Sequence, residues 1–426
     1  MKKKLLLIIM ILFSTLYIGI INVKALGVSS YNELNSCLLQ ENKCKLLNDI
    51  SNSSDNISLN VTKNFTLDLN GKKLNNYSIS VSNNAILTLE STSNGGSIET
   101  TAESGITLNN ATFIANGGKV IGSEYGVKAS NSIVTINDGE FIGNGLDYHT
   151  AGLFTTAKTK TIINGGKFWS KPGYSTGNFS GGSGAHFYSN GGVVSTIING
   201  GYFSGIEGVL NESADIEIND GEFIGDSSGI WLSHPYRYSN YVPMTNINGG
   251  NFSGRTAIRV AGANKNIITG GIFKGENYGL FIECKNEKQC LNSITLNGGK
   301  YSNVQTTNAE FYPNSAIILI SDLDKKLKID ELIGNGFVLS YNELLEKESE
   351  SYGYFSYTKS NNVSIIKKVD QVLNNSELIN STTEKNKNAI ISNPKTSDMN
   401  IYIALLVIGL FTGIIILSSK RLKKIK

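Results

Sequence analysis

The octapeptide INDGEFIG occupies residues 136–143 and returns unchanged at 218–225. No other feature limits the fold so strongly, because a stretch spelled twice in one chain implies one structural unit used twice. Looser copies widen the set. An Asn-Gly-Gly or Asn-Asp-Gly core starts at Asn116, Asn137, Asn164, Asn199, Asn219, Asn248 and Asn297, with Thr269-Gly270-Gly271 as a substituted copy. Four residues after each start stands Val120, Phe141, Phe168, Phe203, Phe223, Phe252, Phe273 or Tyr301. An apolar residue such as Ile136, Ile163, Ile198, Ile218, Ile247 or Leu296 comes immediately before the core. A second element follows in most units, a small residue before an aliphatic one, as in Gly126-Val127, Gly229-Ile230 and Ala257-Ile258.

Successive starts lie 20, 21, 27, 28, 29 or 35 residues apart. A fixed minimum with variable excess is what a solenoid with outgrown loops produces. Each unit reads as three short strands, for example GVKAS, SIVTI and GEFIG. Asn-Gly suits the corner because glycine, and less readily asparagine, tolerates positive φ. Strand alternation then turns the isoleucine before the corner and the phenylalanine after it inward. A propeller blade would need four strands in roughly 40 residues, which the period does not supply. Stacked coils with strands ~4.8 Å apart would set like residues above one another. Asparagines in such a column can pass a side-chain hydrogen bond from coil to coil, satisfying corner groups otherwise buried unpaired. The phenylalanines would form an apolar column inside.

The chain ends read differently. Lys2, Lys3 and Lys4 precede an apolar run from Leu5 to Ile21, followed by Val23-Lys24-Ala25. That layout predicts a secretory signal over residues 1–25, cut after Ala25. At the other end, Asn393-Pro394-Lys395-Thr396-Ser397 precedes an apolar stretch over 401–417 and five terminal cations. The stretch is about long enough to cross a bilayer, with the cations held on the cytoplasmic side. The net charge of +3 belongs to these ends. The leader contributes +4 and residues 397–426 contribute +4, so the remainder carries about −5. Nucleic acid is excluded as a partner, since phosphate backbones need clustered cations.

Cys37 with Cys44, and Cys284 with Cys290, form two close pairs that export would permit to oxidise; no cofactor or metal set accompanies them. Residues 31–40 (YNELNSCLLQ) have helical spacing, so residues 26–45 are expected to form an N-terminal helical cap, with a Cys37–Cys44 bond stapling it to the first coil. The repeats cover roughly 46–322, residues 323–369 change character towards a small C-terminal cap, and residues 370–392 read as a flexible spacer.

Two families are resembled. The N-[GD]-G-x-[FY]-x-G units, with Leu67-Asp68-Leu69-Asn70-Gly71-Lys72 leading them, resemble the right-handed parallel β-helix repeats of pectate-lyase-like and bacterial surface proteins. The expected fold is therefore all-β, a right-handed three-sided parallel β-helix with a C-terminal transmembrane helix. NPKTS, its apolar span and its basic tail resemble the cell-wall sorting signals of Gram-positive bacteria. That likeness implies cleavage after Thr396 by a sortase and linkage to peptidoglycan, with the membrane helix as a partner of the bilayer before processing. Ser397 and Asn393 depart from the commonest pattern, which leaves retention by the helix open.

Chemistry is sparse. Asp clusters on neighbouring coils, which enzymes of the β-helix type resemble one another in carrying, are missing, and Arg259 has no carboxylate pair beside it in adjacent units. His149, His186 and His234 sit in unlike contexts, and Asp147 with His149 reads as a solvated loop pair. Two inserted loops are rich in aromatics, 169–184 and 231–241. Trp169, Tyr174, Trp231, His234, Tyr236, Arg237, Tyr238 and Tyr241 are the candidate ligand-binding residues, rings to stack on sugars and polar tips to bond hydroxyls. The expectation is a wall-anchored, adhesin-like display protein that binds glycan or another surface protein, with a polysaccharide lyase or glycoside hydrolase as the alternative.

Overall fold

The computed structural model describes residues 25–369, apart from 54–55, 146–148, 172–173, 176–177, 180–181, 234–240, 262–264, 285–293, 305–314, 323–325, 342–343, 352–353 and 361–362. The chain winds into a parallel β-solenoid of about nine turns. Each coil adds one strand to each of three parallel ladders. Ladder 1 runs from Leu26–Val28 to Ile294–Leu296, ladder 2 from Ile50–Ser51 to Lys300–Asn303, and ladder 3 from Ile57–Val61 to Ser315–Asp322. The first strand pairs Leu26 with Cys44 and Val28 with Leu46, so pairing starts ahead of the repeats that the sequence displays.

The corner between ladders 1 and 2 explains the repeat. Its third residue is glycine in every copy, with φ between +90° and +137° at Gly118, Gly139, Gly166, Gly201, Gly221, Gly250, Gly271 and Gly299. A Cβ on Gly139 would also lie 2.9 Å from the Phe141 ring. Of the second residues, Gly117 has φ +152° and the others no positive φ, and there Asp138 and Asp220 replace glycine, each Oδ1 accepting the next backbone N–H at 2.8 Å. The first residue builds the asparagine column. Nδ2 of Asn137, Asn164, Asn199, Asn219 and Asn248 each donates to Oδ1 of the previous coil's asparagine at 2.8–2.9 Å, and the Thr269 hydroxyl ends the series on Asn248. These side chains are exposed, so the column polarises the rim of the coil and relieves no buried group.

Inside, the rings stack. Centroids of Phe141, Phe168, Phe203, Phe223, Phe252, Phe273 and Tyr301 follow one another at 4.5–5.2 Å with interplanar angles of 4–18°. Phe113, on ladder 1, meets Phe141 edge-on at 6.4 Å, while Val120 precedes Phe141 in the column itself. All are at most 1% exposed, as are Ile136, Ile163, Ile198, Ile218, Ile247 and Ile268 on ladder 1. The rise of the coil thus sets the ring spacing, within the range where aromatic pairs attract.

At the front, helix Tyr31–Gln40 is capped by the Ser30 side chain, which accepts from the Glu33 N–H, and it buries Leu34, Cys37 and Leu38 in the same core as the strands. Cys37 and Cys44 are bonded. The bond closes a loop of seven residues in sequence separation. Replacing both by serine should cost about 2 kcal/mol by the chain-entropy account. Faster amide exchange confined to residues 26–51 is the expected readout. At the rear, Tyr354–Ser360 pairs antiparallel with ladder 3 and Val363–Lys368 pairs antiparallel with ladder 2, while Leu327, Ile329, Leu332 and Ile366 join the core. Antiparallel strands here satisfy edges that would otherwise template further pairing.

Candidate functional site

The outer side of ladder 3 carries side chains that the repeat does not fix. One position after each buried aliphatic, the chain places Lys128, Phe154, His186, Leu210, Trp231, Arg259, Phe281 and Ile318 in register. Two positions further, Glu212, Ser233, Ala261 and Glu283 follow one another in the same way. Rungs lie ~4.8 Å apart, so each column presents one side chain per coil along the axis.

The earlier coils close on themselves. Phe154 stacks on Tyr125 at 4.8 Å and meets the His186 ring edge-on at 5.1 Å. His186 is 1% exposed; its Nε2 lies 2.7 Å from Glu212 Oε2 and its ring stacks on His149 at 6.1 Å. Two of the three histidines therefore share one environment, although their sequence contexts differ. Asp147 lies outside the described residues. Glu207, where the ladder-3 part of Tyr202–Glu212 begins, is 3% exposed and accepts a 3.4 Å hydrogen bond from the Ser183 hydroxyl. Burial pushes its carboxyl up to about 7, against the pull of that hydroxyl and of the Arg259 charge.

On the later coils the column is partly exposed at Trp231, Arg259 and Phe281. The Arg259 guanidinium lies 4.7 Å over the Trp231 ring and 5.7 Å from Phe281, and its Nη2 donates to Glu283 Oε2 at 3.1 Å. The carboxylate that Arg259 meets is a single one, Glu283, on the next coil and two positions along, a diagonal that residue-by-residue comparison of units passes over. Trp231 and Phe281 are half-buried, and the Arg259 side chain is 35% exposed. Trp231 Nε1–H and Arg259 Nε–H are buried donors that find no acceptor among the described residues.

The predicted ligand-binding residues do not converge. Trp169 lies on ladder 2, half-buried, with Nε1 donating to Glu140 Oε1 at 2.9 Å, so it packs along the solenoid wall. Tyr174 belongs by its backbone to Tyr174–Ser175, paired antiparallel with Asn178–Phe179; its side chain is outside the described residues. His234, Tyr236, Arg237 and Tyr238 are outside them as well. The Tyr241 hydroxyl donates to Asp215, and burial together with that carboxylate pushes the phenol up to about 12. Trp231 alone stands on the outer column. The strands that hold it and the end of the first loop, Glu222–Ser233 and Ser183–Tyr188, are nevertheless joined through Tyr202–Glu212. The first loop ends where Ser183–Tyr188 begins and the second starts where Glu222–Ser233 ends, so the two meet ladder 3 at opposite ends of its strands.

Cys284 ends strand Ile272–Cys284, and Cys290 is outside the described residues, as are Asn393–Ser397 and 401–417. Among the described residues, no helix is long and apolar enough to cross a membrane, and no group of three or more His, Cys, Asp or Glu is placed to hold a metal ion. No protein-family model matches the chain, and neither a curated protein nor a solved structure matches it.

Proposed function

We propose that this chain is an exported, wall-attached display protein whose ladder 3 binds a saccharide in an adhesin-like role. The observation that carries the binding reading is the half-exposed Trp231–Arg259–Phe281 cluster on the outer side of ladder 3. Sugars are recognised by aromatic surfaces with a few placed polar groups. Export and anchoring rest on the sequence signals at the two ends, and the handedness of the coil on the strong preference of parallel crossovers for the right hand. The strand at Leu26 directly follows the signal-peptidase site at Ala25, which fits cleavage there. The helix 31–40 and the antiparallel strands 354–368 act as caps in this reading, and the sorting signal passes Thr396 to peptidoglycan through a sortase.

A lyase or hydrolase is the second reading, favoured by Glu207, whose carboxyl stays protonated near neutrality as a general acid must. Against it, the Glu212 carboxylate further along the same strand is already engaged by His186, whose Nε2 lies 2.7 Å from Oε2.

Two experiments test the proposal. Trp231→Ala should weaken binding on a glycan array by about 10-fold or more, a loss of ~1.4 kcal/mol. Unchanged binding would remove the cluster from the account, and release of reducing or unsaturated ends would favour the enzyme. Thr396→Ala should move the protein from the wall fraction to the membrane fraction of the cell; retention in the wall would contradict sortase anchoring.

A further inference from the structure

The Asn-Gly step recurs along this chain in two kinds of surroundings. Asn164, Asn199 and Asn248 open corners of the stacked coil. In each, Nδ2 donates to the asparagine of the coil before and Oδ1 accepts from the coil after, at 2.8–2.9 Å. Their backbone N–H groups donate to Ile136, Ile163 and Ile218 of the coil before at 2.7–2.8 Å. A Cβ on the glycine that follows would stand 2.4–3.1 Å from that coil's carbonyl oxygen, at Asn137, Asn164 or Asn219. Asn94, Asn190 and Asn335 stand on turns instead. Their side chains are exposed and make no hydrogen bond among the described residues. The glycines that follow them, Gly95, Gly191 and Gly336, have φ of +88°, +81° and +81°, and a Cβ on any of the three would meet nothing within 4 Å.

From this contrast we infer that Asn94, Asn190 and Asn335 are sites of spontaneous deamidation, and that the asparagine column keeps the same dipeptide intact at Asn164, Asn199 and Asn248. The backbone nitrogen of the glycine attacks the asparagine Cγ. A C–N bond forms, the Cγ–Nδ2 bond breaks, and ammonia leaves with the proton of the attacking N–H. Water then opens the cyclic imide at either carbonyl, giving aspartate or isoaspartate. Glycine favours the attack because it has no Cβ to hinder the nitrogen and the freest backbone. At the turns nothing opposes the rotation that brings Cγ onto that nitrogen. In the column the amide must first leave both its neighbours, and the corner backbone is pinned to the coil before. Each event exchanges an amide for a carboxyl and adds one negative charge to a turn.

The test incubates the full chain in mildly alkaline buffer and follows each peptide by mass spectrometry, through the mass gain that marks an amide turned to an acid. The chain unfolded in urea is the reference. Unfolded, all six positions should convert at similar rates, because each is the same step. Folded, Asn94, Asn190 and Asn335 should convert at least ~10-fold faster than Asn164, Asn199 and Asn248, the factor that one or two hydrogen bonds supply. Asn137→Ala removes the acceptor of Asn164 Nδ2 and should speed Asn164 relative to Asn199 and Asn248. The comparison within the wild-type chain needs no substitution, so it stands whether or not that variant folds. Equal rates at the two sets in the folded chain, or no conversion at the turns while the unfolded chain reacts, would overturn the inference. An Asn164 rate left unchanged by Asn137→Ala would overturn the part given to the column.

Discussion

Phe223→Ala is expected to destabilise the solenoid by about 4 kcal/mol, the cost of truncating a fully enclosed ring. Phe223 is not exposed at all, and its ring is held between Phe203 at 4.9 Å and Phe252 at 4.5 Å. No other side chain can close the gap, because each neighbour is fixed by its own coil. A coil touches only the coils before and after it, so stability is approximately a sum of nearest-neighbour terms. The loss should therefore appear as accelerated amide exchange centred on residues 202–261, with the outer coils affected less. A cost under about 1.5 kcal/mol would mean that the rings do not bear on one another as the column requires.

Acid should stabilise the fold through Glu207. Burial holds this carboxyl protonated up to about pH 7, against an ordinary value of 4.5. Below the ordinary value both folded and unfolded chains hold the proton, and the group has no effect on their balance. As the pH rises from there to about 7, the unfolded chain releases its proton while the folded chain keeps it, and stability falls. Above 7 the penalty is fully developed, on the order of 3 kcal/mol. The charged groups facing Glu207 are Arg259, which opposes the shift, and Glu212, which adds to it. Asp68 and Glu99 act in a different window. At both, burial alone would raise the pKa, but hydrogen bonds and lysine charges outweigh it and hold the carboxyl low, so their stabilisation is lost only in stronger acid. Melting followed by circular dichroism should give a higher Tm at pH 5 than at pH 8. Glu207→Gln should flatten this dependence and raise the Tm at pH 8. A Tm that rises with pH between 5 and 8, unchanged by the substitution, would contradict the assignment.

The interior of this protein is legible from its sequence because stacking forces repetition. A ring at Phe141 must fit the ring at Phe168, and a glycine at the third corner position must recur wherever φ is positive. Spacing alone therefore locates corners, inward residues and ladders. The outer columns escape such reading for the same reason. They face away from the shared interior, so Leu210, Trp231, Arg259 and Phe281 have no need to match the stacked rings, and no repeat announces them. A signal was present even so: the residue after each small-aliphatic pair enumerates the column once the frame is known. The strand at Leu26–Val28 was hidden because it precedes the first corner. The Arg259–Glu283 pair and the His149–His186 stack join positions that are unequal in their units, which comparison by register cannot reveal.

Cysteine cross-linking tests the stacked coil most directly. Tyr202 and Glu222 are register partners on the outside of ladder 2, and Asn251 is the partner of Glu222 on the coil beyond. Adjacent parallel strands bring register partners ~4.8 Å apart, inside the range a disulfide can bridge, whereas a two-coil separation of ~10 Å exceeds it. Tyr202→Cys with Glu222→Cys should oxidise spontaneously within one chain, and Tyr202→Cys with Asn251→Cys should remain reduced. Ready oxidation of the second pair, or failure of the first in a protein that otherwise keeps its β-sheet spectrum, would contradict the coil.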